Sequence, residues 1–310
     1  MSRTSTPENS SELVSVVVCT YNGGLYVEEQ IASILNQSYR AIEVIIADDT
    51  STDNTFDILQ RFATDKRVQL YQNEKNVGYN TNFSWACNKA KGAYIAIADQ
   101  DDIWETDKIG VLVKAIKSHP GSVLVHGISA RFEQKGNPHL RSINQLNLYQ
   151  GNDVRCFYLK NAISGHSMLF HRSVLEKALP FPAAVYYDWW LVANACTMGQ
   201  IIAVDKILVW HRMHSSNATG AAKPKEFFYQ QEQVVLSNIL QIPGLKQEHK
   251  AFGEQLLHYY LQLPQQQFSF PLFQFLLKNA KVVFAYKKRT FPWVSYIKHA
   301  FKLSKRNTIA

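Results

Sequence analysis

Three carboxylates crowd into four residues where the apolar run Ala93–Ala98 ends: Asp99, Asp101 and Asp102, in Tyr94-Ile-Ala-Ile-Ala-Asp-Gln-Asp-Asp-Ile-Trp104. The run reads as a short buried strand. A strand that stops on acids places them at the sheet edge where open α/β sheets bind ligands. Carboxylates this close repel one another, and a hard divalent cation such as Mg²⁺ or Mn²⁺, usually shared with a phosphate, is the natural counter-charge. On these residues alone, a solvated acidic turn capping the next helix is the alternative. Two further acidic points, Asp48-Asp49 and Asp188, stand where strand or helix ends are expected. Acids following two strands of one parallel sheet can face the same crevice. There one carboxylate can accept hydrogen bonds from a base edge or a ribose while others hold a metal on a diphosphate. Taken singly, Asp49 also suits a helix cap, and Asp188 a helix N-terminus where the dipole favours an anion.

The elements that must position these acids follow from hydrophobic patterning. Val14-Ser-Val-Val-Val-Cys-Thr20 and Ile42-Glu-Val-Ile-Ile-Ala47 are β-branched runs typical of parallel strands covered on both faces. Between them an amphipathic segment, 25–37, puts Ile31, Ile34 and Leu35 on one stripe. Thr50-Ser-Thr-Asp-Asn54 supplies cap chemistry for a helix to about residue 64, and Val68-Gln-Leu-Tyr71 is a third strand. A helix capped by Asn80 or Thr81 is expected to run to Lys91, with Gly92 at its C′ position, before the acid-tipped fourth strand. Such alternation predicts an α/β fold with a mostly parallel sheet flanked by helices. Farther on, a helix to about Ser118 leads to a strand Ser122–His126, residues 133–152 read as a loop, and 163–170 as a strand or arch. Asp188 opens a helix, segments 201–204 and 206–210 are strand-like, and the chain from about 224 is helical. Neither G-x-G-x-x-G after the first strand nor G-x-x-x-x-G-K-[ST] is present, so metal and acids would have to manage any phosphates.

The 310 residues, 46% hydrophobic, suffice for one large domain or two smaller ones. Four scattered cysteines, Cys19, Cys87, Cys156 and Cys196, suit a reducing compartment. Residues 1–12 are polar, read as a disordered tail, and lack the apolar core of a signal peptide; no apolar run is long enough to span a bilayer. The net charge of +8 is carried by the C-terminal end, where nine Lys and Arg follow Glu254 and no acid does. Apolar-aromatic helices mixed with those cations suit an interfacial segment on an anionic membrane. A helical subdomain packed on the rest is the alternative, and nucleic acid is disfavoured because no accompanying motif is present.

Val14–Asn22, Ala47-Asp-Asp-Thr-Ser-Thr-Asp53 and Ala98-Asp-Gln-Asp-Asp-Ile-Trp104 resemble, in order and spacing, the family 2 glycosyltransferases of GT-A fold. Ser164-Gly-His-Ser-Met-Leu-Phe170, Pro180-Phe-Pro182, Asp188-Trp-Trp190 and His211-Arg-Met-His-Ser-Ser-Asn217 are similar to the bacterial, rhamnosyltransferase-like branch. The resemblance covers residues 13–220 and implies a GT-A domain there, followed by a helical, basic-aromatic extension over 221–310. It implies that Thr20 and Tyr21 line the nucleotide pocket, that Asp49 contacts the base and that Asp99 sits near the ribose. Asp101 would ligate Mg²⁺ or Mn²⁺ with Asp102 beside it, His214 would close over the diphosphate and join the metal, and Arg212 would assist electrostatically. Asp188 matches the general base. This chain carries His211 and Met213 where relatives often have Tyr and Gln. Trp189 and Trp190, flanking the base, could stack on a sugar or simply belong to the core.

The implied activity is inverting, metal-dependent transfer of a sugar, L-rhamnose among the candidates, from a dTDP- or UDP-sugar. The acceptor would be a glycan or polyprenyl-linked molecule in bacterial surface polysaccharide synthesis (O-antigen, capsule or exopolysaccharide). The location expected is cytoplasmic, peripheral on the inner face of the plasma membrane. A catalytically inactive nucleotide-sugar-binding membrane scaffold and a nucleotidyltransferase are the competing readings. The second would ordinarily want an early phosphate-gripping Gly/Lys loop, which is missing.

Overall fold

The computed structural model describes residues 12–133, 137–144, 147–214, 225–263, 268–286 and 289–305. The expected N-terminal tail, apart from Glu12, lies outside them, as do Ser215–Asn217 of the last motif and the cations Lys287, Lys288 and Arg306.

The N-terminal half alternates as expected: β1 (Val14–Thr20), α1 (Val27–Leu35), β2 (Ile42–Asp48), α2 (Thr55–Phe62), β3 (Val68–Gln72), α3 (Tyr79–Cys87) and β4 (Tyr94–Ala98). Then come β5 (Ile103–Trp104), α4 (Lys108–Lys117), β6 (Ser122–Phe132), α5 (Leu140–Asn144), β7 (Met168–His171), α6 (Arg172–Ala178), α7 (Tyr187–Cys196) and β8 (Gln200–Arg212). Helices α8 (Lys225–Ile239), α9 (Gln247–Gln262), α10 (Phe270–Lys278), α11 (Ala280–Val283) and α12 (Pro292–Leu303) follow among the described residues. The eight strands form one sheet in the order β3-β2-β1-β4-β7-β6-β8-β5. The first four are mutually parallel; β7 runs antiparallel to both β4 and β6, β8 parallel to β6, and β5 antiparallel to β8.

Successive residues of a strand point to opposite faces, and the two cores divide accordingly. Val16 and Val18 of β1, with Val44 and Ile46 of β2, pack beneath α1, α2 and α4. Val17, Ile45 and Ile97 face the other way, into a core shared with α3, α7 and the C-terminal helices. Both faces of β1, β2 and β4 are therefore covered, which is why their sequences read as near-continuous apolar runs.

Several local expectations are corrected. The two strand-like segments at 201–204 and 206–210 are one strand, and β6 extends to Phe132 because the two pair along most of their length. Helix α3 starts after Gly78, at φ +81°, rather than from an Asn80 or Thr81 cap. The side chain of Asn80 donates instead to the Val185 carbonyl at 2.6 Å and that of Asn82 to the Ala47 carbonyl at 2.9 Å. Because α3 stops at Cys87, Gly92 is no helix terminator; a Cβ there would meet the Leu13 carbonyl and Ser15 amide of β1 at 2.5 and 2.6 Å. Part of the expected loop at 133–152 is the short helix α5.

Candidate active site

The acids gather where β4 ends because β5 turns that end alongside β8. Ile103 pairs with Trp210 and Trp104 with Val209, so Asp101 and Asp102 lie against His211, Arg212 and His214. Asp101 Oδ2 is 2.8 Å from His214 Nε2. Asp102, fully buried, has Oδ1 3.0 Å from His211 Nδ1 and Oδ2 3.1 Å from His166 Nδ1. Asp99, more open, has Oδ2 2.6 Å from the same His166 nitrogen. Ser129 Oγ lies 2.8 Å from His166 Nε2, and the rings of His166 and His211 stack with centroids 5.1 Å apart. Beneath them Lys108, wholly buried, donates from Nζ to the His166 carbonyl at 2.6 Å and lies over the Trp104 ring. Arg212 donates from Nε to the Asp101 carbonyl at 3.1 Å, pairs with Glu29, and lies between the rings of Tyr26 and Phe132.

Burial and charge push these groups apart in acidity. Burial raises the Asp101 carboxyl, and the neighbouring charges of Asp102 and Asp99 raise it further, against the pull of His214. Burial likewise opposes ionisation of Asp99, yet its bond to His166 and the charges of His166, His211 and Lys108 hold it below the ordinary range. His166 is the converse: burial would lower it, but Asp102 and Asp99 keep it above a free histidine. Burial lowers Lys108 strongly, and the two acids recover only part of that shift.

Asp188 occupies the first turn of α7, half-buried, with its Oδ1 accepting the Trp189 amide at 2.7 Å. Burial, supplemented by the charge of Asp99, pushes its carboxyl up to about 6. That value suits a base working near neutral pH. Gly165 packs so closely on Tyr187 that a Cβ would meet its ring carbons at 2.6 and 2.7 Å, which sets the helix start against the β7 entrance.

The remaining expected residues are placed with mixed outcomes. Tyr21 is 46% exposed at the crevice, and its backbone N–H and carbonyl bind the side chain of Gln100 at 2.8 and 3.1 Å. Thr20 points inward instead, its hydroxyl donating to Asp48 Oδ1 at 2.9 Å. Asp49 is 3% exposed and accepts the Asn73 side chain and the amides of Val77 and Gly78 at 2.7, 2.9 and 2.9 Å, so it shapes the 73–78 turn. Stacking by Trp189 is corrected: the ring is buried in the core and its indole N–H donates to the Phe157 carbonyl. Trp190 is half-buried against the same core, its N–H donating to the Ala178 carbonyl at 2.8 Å. An open ring near Asp188 is Tyr79, 46% exposed, with centroids 6.3 and 5.8 Å from Tyr186 and Tyr187. Charges of Asp188 and Asp99 add to burial in raising its phenol.

The donor set fits a divalent cation. Asp101 and His214 offer carboxylate oxygen and imidazole nitrogen, and the repulsion that raises Asp101 is what a cation would relieve. Asp102, His166 and His211 also bring donor atoms within 4.8 Å of one another, with Nδ1 of His166 bonded to Asp99 and that of His211 to Asp102. Sequence reasoning assigned no role to His166, Lys108 or Ser129; the only signal was His166 inside a quoted motif.

The family model Glycosyl transferase family 2 matches residues 15–179. An uncharacterized glycosyltransferase of Haemophilus influenzae is 27% identical over 222 residues, 67% of this chain and 68% of that protein. The putative teichuronic acid biosynthesis glycosyltransferase TuaG of Bacillus subtilis is 41% identical over 102 residues, 33% of this chain and 40% of its own. The UDP-Glc:alpha-D-GlcNAc-diphosphoundecaprenol beta-1,3-glucosyltransferase WfaP of Escherichia coli is 41% identical over 98 residues, covering 32% and 39%. The match therefore spans about two fifths of the length of those last two. Among solved structures, S. aureus TarS 1–349 in complex with UDP-GlcNAc superposes with a TM-score of 0.62 at 18% identity, over 94% of this chain and 81% of that one. The architecture is the GT-A fold with C-terminal helices added.

Proposed function

We propose that this chain, which belongs to glycosyl transferase family 2, inverts the anomeric centre of a nucleoside-diphosphate sugar as it transfers the sugar to a glycan or lipid-linked acceptor. The reaction is a single displacement. The acceptor oxygen forms a bond to the anomeric carbon, the bond from that carbon to the diphosphate oxygen breaks, and the acceptor proton passes to the Asp188 carboxylate. The observation that carries this reading is Asp188, raised to about 6 at the start of α7 and within the field of Asp99. General-base assistance of this kind is worth about 10²–10⁴-fold.

Asp101 and His214, with Asp102 nearby, would hold Mg²⁺ or Mn²⁺, which supplies Lewis-acid neutralisation of the diphosphate when bound. Arg212, which pairs with Glu29, adds positive charge on the same side. His166 keeps Asp99 ionised for a ribose hydroxyl, and Asp49 acts on the base through the turn it holds. Tyr79 and Tyr186, rather than the tryptophans, frame the acceptor.

The likeness to TuaG supports a role in bacterial surface polysaccharide synthesis, and the likeness to WfaP supports a polyprenyl-diphosphate acceptor. UDP is the first donor nucleotide to test, given the ligand in the TarS structure, with dTDP-L-rhamnose beside it because of the motif resemblance. Thermal-shift titration with nucleoside diphosphates, with and without Mn²⁺, is expected to show stabilisation by one diphosphate that requires metal. That shift should disappear in Asp101→Ala. A folded protein unmoved by every diphosphate and metal combination would end the transferase reading.

A further inference from the structure

Helix α12 has two unlike sides. Tyr296, Ala300 and Leu303 face inward, with Ala300 fully buried in the main core. Trp293, Val294, Ile297 and Phe301 face outward at 70%, 68%, 50% and 52% exposure, and Phe291 just ahead of the helix is 73% exposed. At 3.6 residues per turn the four outward side chains fall within an arc of about 100°. Phe268 extends the patch, its ring centroid 5.2 Å from that of Phe301. Scattered apolar residues are normal on a protein surface, but a contiguous aromatic-aliphatic stripe on one helix marks a surface meant to be covered.

Charge identifies what covers it. Lys298, Lys302 and Lys305 are exposed on the flank of the stripe, and no acidic residue occurs anywhere after Glu254. An acid-free, lysine-bearing face is complementary to an anionic lipid surface, where each basic residue contributes about 1 kcal/mol. Long lysine side chains can lie along the apolar face while their ammonium groups reach lipid phosphates. Among the described residues no helix is long and apolar enough to cross a membrane.

We propose that the outer face of α12 docks on the interface of an anionic phospholipid bilayer, Trp293, Ile297 and Phe301 entering the headgroup–acyl boundary and the flanking lysines meeting lipid phosphates. The helix then lies in the membrane plane, its inner side still packed on the catalytic core. Such docking holds the enzyme where lipid-linked acceptors reside. It is read without donor or acceptor, so it stands or falls independently of the transferase reaction.

Co-sedimentation of the full chain with phosphatidylcholine vesicles, with and without phosphatidylglycerol, tests the proposal. Binding is expected to anionic vesicles, and to weaken as salt is raised, because the ionic part is screened. The double variant Trp293→Glu/Ile297→Glu should lose about tenfold or more in vesicle partitioning. Lys298→Glu/Lys305→Glu should abolish the preference for anionic lipid. Both variants should keep the wild-type melting temperature and turnover of a soluble acceptor, since every altered side chain is exposed and outside the site. Wild-type protein left in the supernatant with anionic vesicles would overturn the proposal, as would charge variants that sediment like wild type. So would a light-scattering dimer that Trp293→Glu converts to monomer without changing vesicle binding, which would assign the face to a second copy.

Discussion

Asp188 illustrates how a side chain that the proposed chemistry requires can be costly to the fold. Its folded-state value of about 6 lies above the ordinary 3.8 of an aspartate, so the folded protein prefers the protonated form. The stabilisation associated with that preference is complete below about pH 4 and is lost as pH rises through about 6. At pH 7 the ionised carboxylate therefore costs about 2–3 kcal/mol. Asp188→Asn, which keeps an acceptor for the Trp189 amide, is expected to raise the melting temperature at pH 7 while lowering turnover about 10²–10⁴-fold. Wild-type turnover should fall as pH drops through about 6, and the residual activity of the Asn variant should lack that inflection. A pH–rate profile of both proteins, with a melt of each, checks the pair of outcomes. Trp189 teaches the opposite lesson: a chemically apt residue beside a site can belong to the core.

At the scale of elements, the site depends on two junctions. The short antiparallel pairing of β5 with β8 brings Asp101 and Asp102 to His211, Arg212 and His214, more than a hundred residues away in sequence. The close approach of Gly165 to Tyr187 seats the start of α7, and thereby Asp188, against the turn that carries His166. Tyr187 is 5% exposed and ringed by Phe83, Phe181 and Tyr79, so it has little room to retreat. Gly165→Ala is expected to destabilise by about 1–3 kcal/mol, the usual result of overfilling a packed site. Urea melts report the loss, and Asp188-dependent turnover should fall with it even where the protein remains folded.

The whole molecule is joined by a core that ignores the boundary between the GT-A sheet and the C-terminal helices. Val17 of β1, Trp189 of α7, Leu236 of α8, Leu256 of α9, Leu276 of α10 and Ala300 of α12 belong to one buried cluster. The C-terminal helices thus pack inward on the sheet, and α12 leaves its other side exposed. Leu276→Ala, far from the acids, is expected to cost about 2–5 kcal/mol and to shift unfolding of the entire chain as one transition. Circular dichroism and tryptophan fluorescence should follow the same curve; an early, separate loss of the C-terminal helices would contradict a shared core.

The amino-acid sequence by itself determined the parallel strands β1 to β4, the acids at their ends and the start of α7, because each is written in local hydrophobic period, turn chemistry and chain order. The motifs extended that to the family. Only the tertiary structure decided that His166 pairs with Asp99 and Asp102 above a buried Lys108, that Asp49 accepts amides of the 73–78 turn, and that Trp189 is core while Tyr79 is open. Those outcomes depend on which residues meet across the sheet and which face of a helix is covered. Burial and hydrogen-bond partnership are set by segments tens of residues apart, and no local pattern encodes them.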